Sequence, residues 1–310
     1  MTDHGIAGRV ALVTGGSRGI GRAISERLAA AGARVAVNYR SDHASAAATV
    51  AAIESSGGTA MSVAADVSLD ADVERLVAEV GEGLGAVDLL VNNAGIFDYG
   101  GHRETTAELW RRTLAVNLTS AFLVSWAVKD GMIERGYGRI VNVASIAALR
   151  PRPNSIAYAA SKAGMIGLTR SLAEAVAGDG VRVNAIAPGL IQTDILADVD
   201  GRVLDELVEA TPMKRIGQPD DIAGVTLFLL GDNSNFMTGQ TLVASGGRVT
   251  LPEAARPRSG FSCRWCRCSS VRPAGRGLRA RAVRSWVRSR RVAARWRIRS
   301  GRRGSRDARR

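Results

Sequence analysis

The chain has 310 residues and a formal net charge of +13, a balance that by itself points to a nucleic-acid partner. Mapped along the sequence, it divides: residues 249–310 hold 20 of the 42 basic residues and, of the 29 acidic ones, only Glu253 and Asp307, so a body of 248 residues stands at −5 and a tail at +18. With 46% hydrophobic and 23% charged residues the composition is globular, which excludes a wholly disordered chain. No apolar run approaches the roughly 18 residues of a membrane-spanning helix. Met1 to Arg9 lacks the basic-then-apolar pattern of a secretory signal. The three cysteines, Cys263, Cys266 and Cys268, all fall in the tail. A body without cysteine suits the reducing cytoplasm, where the protein is expected.

Along the body, short β-branched apolar runs alternate with Ala-rich stretches of helical period. Strands are predicted over 9–14, 34–38, 60–64, 87–91, 139–144, 181–187 and 240–244. Helices are predicted over 19–31, 43–55, 70–81, 106–135, 157–177 and 219–230. Near-continuous apolar strands are buried on both faces, as in a parallel sheet, and strict β-α alternation calls for right-handed crossovers. The expected fold class is α/β: a single Rossmann-type doubly wound parallel sheet with helices on both faces over residues 1–248. A basic tail, 249–310, is expected to be disordered. A flavodoxin-like fold shares the alternation, and the first turn separates the two.

That turn reads Thr14-Gly15-Gly16-Ser17-Arg18-Gly19-Ile20-Gly21, between the first strand and the first helix. Glycines permit a tight turn and close approach of backbone to a pyrophosphate, and the helix N-terminus offers unpaired N–H groups to the same anion. Further along come Asn92-Asn93-Ala94-Gly95, Ser145, Tyr158-Ala159-Ala160-Ser161-Lys162 and Pro188-Gly189. In this order and spacing they resemble the short-chain dehydrogenases/reductases, and among them most nearly the 3-oxoacyl-(acyl-carrier-protein) reductases. The resemblance spans residues 5–247.

It implies a nicotinamide dinucleotide held by Gly15, Ser17, Arg18, Gly19, Ile20 and Gly21, with Tyr39 and Arg40 at the tip of the second strand. Asp66 and Val67 would contact the adenine, although Asp66 or Ser68 is also suited to cap the next helix. Asn92 would line the cofactor cleft together with Asn93, Ala94 and Gly95. Pro188, Gly189, Ile191 and Thr193 would contact the nicotinamide, and residues 190–215 would form a substrate lid. An acid at the tip of the second strand favours NAD, and an arginine nearby favours the 2′-phosphate of NADP. The tip carries no acid, and Asp42 comes later, whereas Arg18 and Arg40 are basic. NADP(H) is therefore favoured over NAD(H).

Tyr158 and Lys162 are four apart in a predicted helix and share a face. A free Tyr has a pKa of about 10. A neighbouring ammonium and the positive nicotinamide ring are expected to lower it and make Tyr158 an acid–base catalyst. Ser145 ends its strand where doubly wound sheets place ligands, suited to polarise a substrate carbonyl. By resemblance, Asn117 holds a water that links Lys162 to a proton relay. The implied reaction is hydride transfer from NADPH to a small-molecule ketone, giving the alcohol, with Tyr158 as general acid. The resemblance also implies a homo-oligomer, a dimer or tetramer.

The substrate is less legible. Where carrier-dependent relatives present basic residues, this chain has Asp130 and Glu174, which counts against docking of an acidic acyl carrier protein unless Lys129 or Arg135 substitutes. A dehydrogenase of a free small alcohol or sugar is the alternative, and an inert cofactor-binding scaffold with a nucleic-acid-binding tail is the rival from another class. The loop 96–103 and the segment 146–156, with Arg150 and Arg152, are expected to shape the pocket. His4, His43 and His102 match no ligand spacing, and no catalytic metal is expected.

The tail has no lysine, about one arginine in three residues, and Trp265, Trp286 and Trp296. Arginine interleaved with tryptophan suits phosphates and bases. Cys263, Cys266 and Cys268 supply three thiolates where a closed zinc site takes four ligands. The body uses 19 Arg against 3 Lys, as GC-rich coding does, and such DNA read out of frame yields a composition like the tail's. A frame change near residues 244–251 is the expectation. The charge of the tail is accordingly no ground for giving the body a nucleic-acid or membrane partner.

Overall fold

The computed structural model describes residues 4–193 and 201–249. One compact unit runs Met1–Pro252, and a second, Glu253–Arg310, lies outside the described residues, together with the expected disorder and the cysteine trio.

The first unit alternates strand and helix: β1 (Val10–Val13), α1 (Gly19–Ala30), β2 (Arg34–Tyr39), α2 (His43–Ser55), β3 (Thr59–Ala64), α3 (Asp70–Gly83) and β4 (Leu89–Asn92). It continues with α4 (Ala107–Leu114), a π turn (Ala115–Thr119), α5 (Ser120–Glu134), β5 (Gly138–Val143), a 3-10 turn (Ile146–Ala148) and α6 (Ile156–Val176). The order closes with β6 (Val181–Pro188), α7 (Gly201–Glu209), α8 (Pro219–Leu230) and β7 (Thr241–Ala244). The seven strands form one parallel sheet in the order β3-β2-β1-β4-β5-β6-β7. This is the expected Rossmann-type doubly wound sheet. Strand order reverses between β1 and β4, the crevice where such sheets bind ligands.

Successive strand residues point to opposite faces, and the core divides accordingly. Ala11 and Val13 of β1 join Val35, Val37, Leu89 and Val91 under α1 and α8, where Ile24, Leu28, Ile222 and Leu227 pack. Val10 and Leu12 join Ala36, Leu90 and Ile140 on the other face, under Val73 and Leu76 of α3, Val124 and Met132 of α5, and Leu172 of α6. The central strands are therefore mostly apolar on both faces, with Asn38, Asn92 and Asn142 as buried polar exceptions. The edge strands β3 and β7 are only partly buried, because each has one neighbour instead of two.

Two features depart from the sequence reading. The helix predicted over 106–135 is broken by the π turn into α4 and α5, and α7 forms inside the expected lid. Among the described residues no helix is long and apolar enough to cross a membrane.

Candidate active site

The glycine turn after β1 uses left-handed backbone at Gly15 and Gly19, φ +59° and +52°, which only glycine adopts without strain. A Cβ on Gly21 would run into the Gly15 carbonyl. The turn is braced by side chains from elements on both sides. Thr14 Oγ1 accepts from the amides of Asn93 and Ala94, each at 3.0 Å, and Asn93 Nδ2 donates to the carbonyls of Thr14 and Gly15 at 3.0 Å. Asn38 Oδ1 accepts from Gly15 N at 3.3 Å while its Nδ2 spreads over the carbonyls of Tyr39, Val63 and Ala65. Thr49 of α2 donates to the Ser17 carbonyl at 2.9 Å. Arg18 precedes α1 without a side-chain cap, and the first turn of α1 holds no acid. The N-terminal amides of α1 thus keep their capacity for a phosphate. This cradle fits a dinucleotide.

At the tip of β2, Tyr39 is buried with its hydroxyl 2.8 Å from His43 Nδ1, and Arg18 and Arg40 are exposed. Asp42 caps α2, accepting from the Ser45 amide at 3.0 Å and the Ser45 hydroxyl at 2.7 Å. Those bonds foremost, and the nearby Arg18, hold its carboxyl below the usual range. Asp66 folds its carboxylate back onto the Ser68 amide and hydroxyl, at 3.0 and 2.6 Å. The residue ahead of α3 is Leu69, so neither Asp66 nor Ser68 caps that helix. Val67 buries its side chain in the core.

Asn92 is a correction. It is 2% exposed, and its Nδ2 reaches Ser125 Oγ at 3.0 Å and Asn142 Oδ1 at 2.8 Å, beneath α5 and not in the cleft. Strand alternation explains this, for Asn93, one residue on, is the one turned toward the glycine turn.

Ser145 follows β5 and opens the 3-10 turn, accepting from Ala147 N at 3.1 Å. Its side chain also acts on the Tyr158 phenol, in the sense that lowers the phenol's pKa. Tyr158 stands in the first turn of α6, with the Phe97 ring edge-on at 5.0 Å between centroids. Lys162, one turn on, is 4% exposed; its Nζ lies 5.9 Å from the Tyr158 ring centre and donates to the Val143 carbonyl at 2.8 Å. Asn117 sits in the π turn, fully buried. Its Oδ1 accepts from Ile96 N at 2.7 Å, and its Nδ2 donates to Ile96 O at 2.9 Å and Ser161 Oγ at 3.1 Å. Gly95 lies between Asn117 and Lys162: a Cβ there would come 3.3 Å from Asn117 Oδ1 and 3.5 Å from Lys162 Nζ. Four sequence-distant residues thus meet at the C-terminal ends of β4 and β5.

The electrostatics differ from expectation. Burial pushes the Tyr158 phenol above its ordinary value, opposed by the Ser145 side chain and by Arg152. Burial also pulls Lys162 down, to about 8. Without the cofactor, Lys162 does not lower Tyr158, because it spends its hydrogen bond on Val143 and is itself driven toward neutrality.

Beyond β6, Gly189 donates to the Ala244 carbonyl at 2.8 Å, and a Cβ on it would lie 2.7 Å from Ser245 Cα. Ile191 is buried and pairs with Gly217, joined by Gln192 N to Gly217 O at 2.8 Å and Gly217 N to Leu190 O at 3.0 Å. Thr193 reaches the glycine turn, its Cγ2 3.2 Å from the Cβ position of Gly19. Arg215 closes on Asp221 with two bonds, 2.7 and 2.8 Å, fixing the far end of the lid to α8 and holding Asp221 at about 2. The structure adds Thr14, Asn38 and Phe97 to the site. Asn38, a polar residue inside an apolar strand, carried a readable signal; the bracing role of Thr14 depends on the register of β1 against β4.

On the outer surface Asp130 and Glu174 are exposed, Lys129 is paired with Asp130 at 2.6 Å, and Arg135 is tied to Asp88 and the Val87 carbonyl.

A family model described as enoyl-(acyl carrier protein) reductase matches residues 15–248. An acetoacetyl-CoA reductase of Allochromatium vinosum is 41% identical over 240 residues, 77% of this chain and 98% of the relative. A 3-oxoacyl-[acyl-carrier-protein] reductase of Synechocystis is 39% identical over 245 residues, 79% of this chain and 98% of the relative. Among solved structures, a putative gluconate dehydrogenase from Agrobacterium tumefaciens superposes with a TM-score of 0.76 at 39% identity, covering 79% of this chain and 98% of that one. Family match, sheet order and glycine cradle agree: the chain belongs to the short-chain dehydrogenases/reductases, oxidoreductases that bind a nicotinamide cofactor.

Proposed function

We propose that residues 1–248 form an NADPH-dependent reductase that converts a ketone, a 3-oxoacyl thioester or a similar carbonyl, to a secondary alcohol. The observation that carries this reading is the buried Lys162 one helical turn from Tyr158, its Nζ 5.9 Å from the Tyr158 ring centre, with Ser145 at the C-terminal end of β5. The cofactor, when bound, supplies the hydride. Tyr158, held protonated by its surroundings, delivers its phenolic proton to the carbonyl oxygen, and Ser145 turns its hydroxyl to the same oxygen. Lys162 and Asn117 line the Gly95 backbone, where Lys162 supports the cofactor ribose and Asn117 holds a water that links Lys162 to a proton relay. Gly15, Ser17, Gly19, Ile20 and Gly21 hold the pyrophosphate. Asn93, Ala94, Pro188, Gly189, Ile191 and Thr193 flank the nicotinamide. Tyr39, Asp66 and Val67 flank the adenosine.

NADP(H) is favoured because Arg18 and Arg40 stand exposed at the tip of β2, while the one nearby acid, Asp42, is committed to α2. A second reading, a dehydrogenase of a free small alcohol or sugar, is favoured by the exposed Asp130 and Glu174 and by Lys129 and Arg135 being engaged, which leaves little for an acidic carrier. The working form is proposed to be a cytoplasmic homo-oligomer.

The deciding experiment measures NADPH and NADH oxidation over a ketone panel that includes 3-oxoacyl thioesters, for the native chain and Tyr158→Phe. Loss of a general acid is expected to cost about 10²- to 10⁴-fold in kcat, with NADPH still bound. No turnover of any ketone or alcohol by the native chain with cofactor bound would defeat the reading.

A further inference from the structure

The loop after β4 holds one aromatic ring against the proton donor. Phe97, half-buried, stands with its ring centre 5.0 Å from that of Tyr158 and the two planes at 84°, an edge-to-face arrangement that aromatic pairs favour. Both neighbours of Phe97 in the chain are anchored. Ile96 exchanges two bonds with Asn117 of the π turn, its amide donating to Oδ1 at 2.7 Å and its carbonyl accepting from Nδ2 at 2.9 Å. Asp98 Oδ2 accepts from the hydroxyl of Thr113, a buried residue of α4, at 3.2 Å. Further on, the loop is tied to the stretch that leads into α6. Gly100 N donates to the Asn154 carbonyl at 2.9 Å, Gly100 bridges to Ser155, and Asn154 Nδ2 donates to the Tyr99 hydroxyl at 3.0 Å. The ring of Phe97 is thus fixed from both sides, in part by the segment that carries Tyr158 itself.

The charged and polar groups around Tyr158 do not favour its protonated form. Lys162, on the same helix, has its Nζ 5.9 Å from the ring centre and donates to the Val143 carbonyl. Ser145 at the end of β5 and Arg152 ahead of α6 both act to lower the phenol's pKa. Asp98, beside Phe97, is turned to Thr113. Cations and hydrogen-bond donors favour a phenolate, and so would the positive ring of an oxidised nicotinamide. What opposes them is the exclusion of water, which pushes the phenol upward. Among the described residues Phe97 is the ring that meets Tyr158, and an apolar ring offers a phenolate no hydrogen bond in place of the water it displaces. Tyr158 keeps part of its surface open, as access of a substrate requires.

We propose that Phe97 is a positioning residue for the proton donor: it closes one side of Tyr158 to water and so keeps the phenol protonated, which sets the site for reduction of a ketone over oxidation of an alcohol. The use made of that proton rests on the reductase reading; the state of the phenol is measurable without turnover.

The test follows tyrosine ionisation in the cofactor-free full chain by near-ultraviolet difference absorbance, with Tyr158→Phe showing which of the four tyrosines is Tyr158. Phe97→Asn and Phe97→Ala should each lower the Tyr158 midpoint by about one pH unit or more, a fraction of the roughly 3–5 units that full burial imposes. Phe97→Leu, matched to Asn in shape but apolar, should stay within about half a unit of the native chain. Where the native midpoint lies above the pH at which the chain unfolds, a midpoint in the Asn or Ala variant below that pH is the expected result, and its absence overturns the proposal. The alkaline limb of the pH profile of kcat for ketone reduction should begin about one unit lower in Phe97→Asn and not in Phe97→Leu, whereas a purely structural role lowers kcat and leaves the limb in place.

Either the Asn or the Ala variant carries the test if the other does not fold. An unmoved midpoint in the folded variant overturns the proposal, and so does a Leu variant that falls as far as the Asn one. A midpoint that moves as expected in a chain that reduces no ketone keeps the closure of Tyr158 by Phe97 and removes the reductase reading. Native turnover with an unmoved midpoint in the variants does the reverse.

Discussion

Lys162 shows how much a single buried charge constrains this site. It has one hydrogen-bond acceptor, the Val143 carbonyl, and burial alone takes its pKa from 10.5 to about 8. Between those values the unfolded chain holds the proton and the folded one does not, so the cofactor-free protein gains stability as pH rises through that window. Below about pH 8 both states hold it and the full cost of burying the ammonium is present, about 3 kcal/mol at ~1.4 kcal/mol per pKa unit. Urea unfolding of the native chain and of Lys162→Met at pH 7 and pH 10 should show the native chain gaining more, by up to about 3 kcal/mol; parallel responses would refute it. The pairing of Tyr158 with Lys162 is legible in the sequence because four residues set a shared helix face. The sign of the Tyr158 shift is not, since it depends on how the folded chain encloses the phenol and on Lys162 turning to Val143. Asn92 and Asn93 make the same point: adjacent and identical, they serve the core and the cleft because a strand turns successive side chains to opposite faces.

The β1–α1 turn depends on elements that the glycine pattern does not mention. Asn38 ties the turn, β2 and β3 together through one accepted bond, partly buried, and three buried donated bonds. Asn38→Ala removes the side-chain donor to the Val63 and Ala65 carbonyls and the acceptor of Gly15 N, while the Tyr39 carbonyl keeps the Ala65 amide, at an expected cost of about 1–3 kcal/mol. The same variant should bind NADPH more weakly, because the turn loses its brace toward β2. Urea denaturation and NADPH fluorescence titration check both; a loss under about 0.5 kcal/mol would show that the brace is not needed. Order and type of the elements are legible because buried parallel strands and amphipathic helices impose different periods. The π turn is not, since the apolar pattern runs on through 106–135 and the extra residue per turn that points Asn117 at Ile96 leaves no compositional mark. The helix α7 had a signal, with Val203, Leu204, Leu207 and Val208 at helical spacing, but it lies within a stretch read for its function as a lid and not for its period.

Over the whole molecule, charge and catalysis are carried by different parts of the chain. The sheet ends with β7 at Ala244, the family match ends at 248, and residues 249–310 hold +18 against −5 for the rest. Attraction to polyanions, if the chain has it, is expected of the tail. Basic contacts to phosphates release counterions, so such binding falls steeply and linearly in log–log form with salt. A chain cut after Val249 should keep its thermal transition, its NADPH affinity and its kcat/KM for a ketone within about twofold, because the last strand and the family match both end before the cut. If the full chain is retained on duplex DNA in a salt-dependent way, the shortened chain should not be. Retention by the shortened chain would place the polyanion site in the body. Loss of folding or turnover on shortening would instead make the tail part of the reductase, and would count against a frame change near residues 244–251 as its origin.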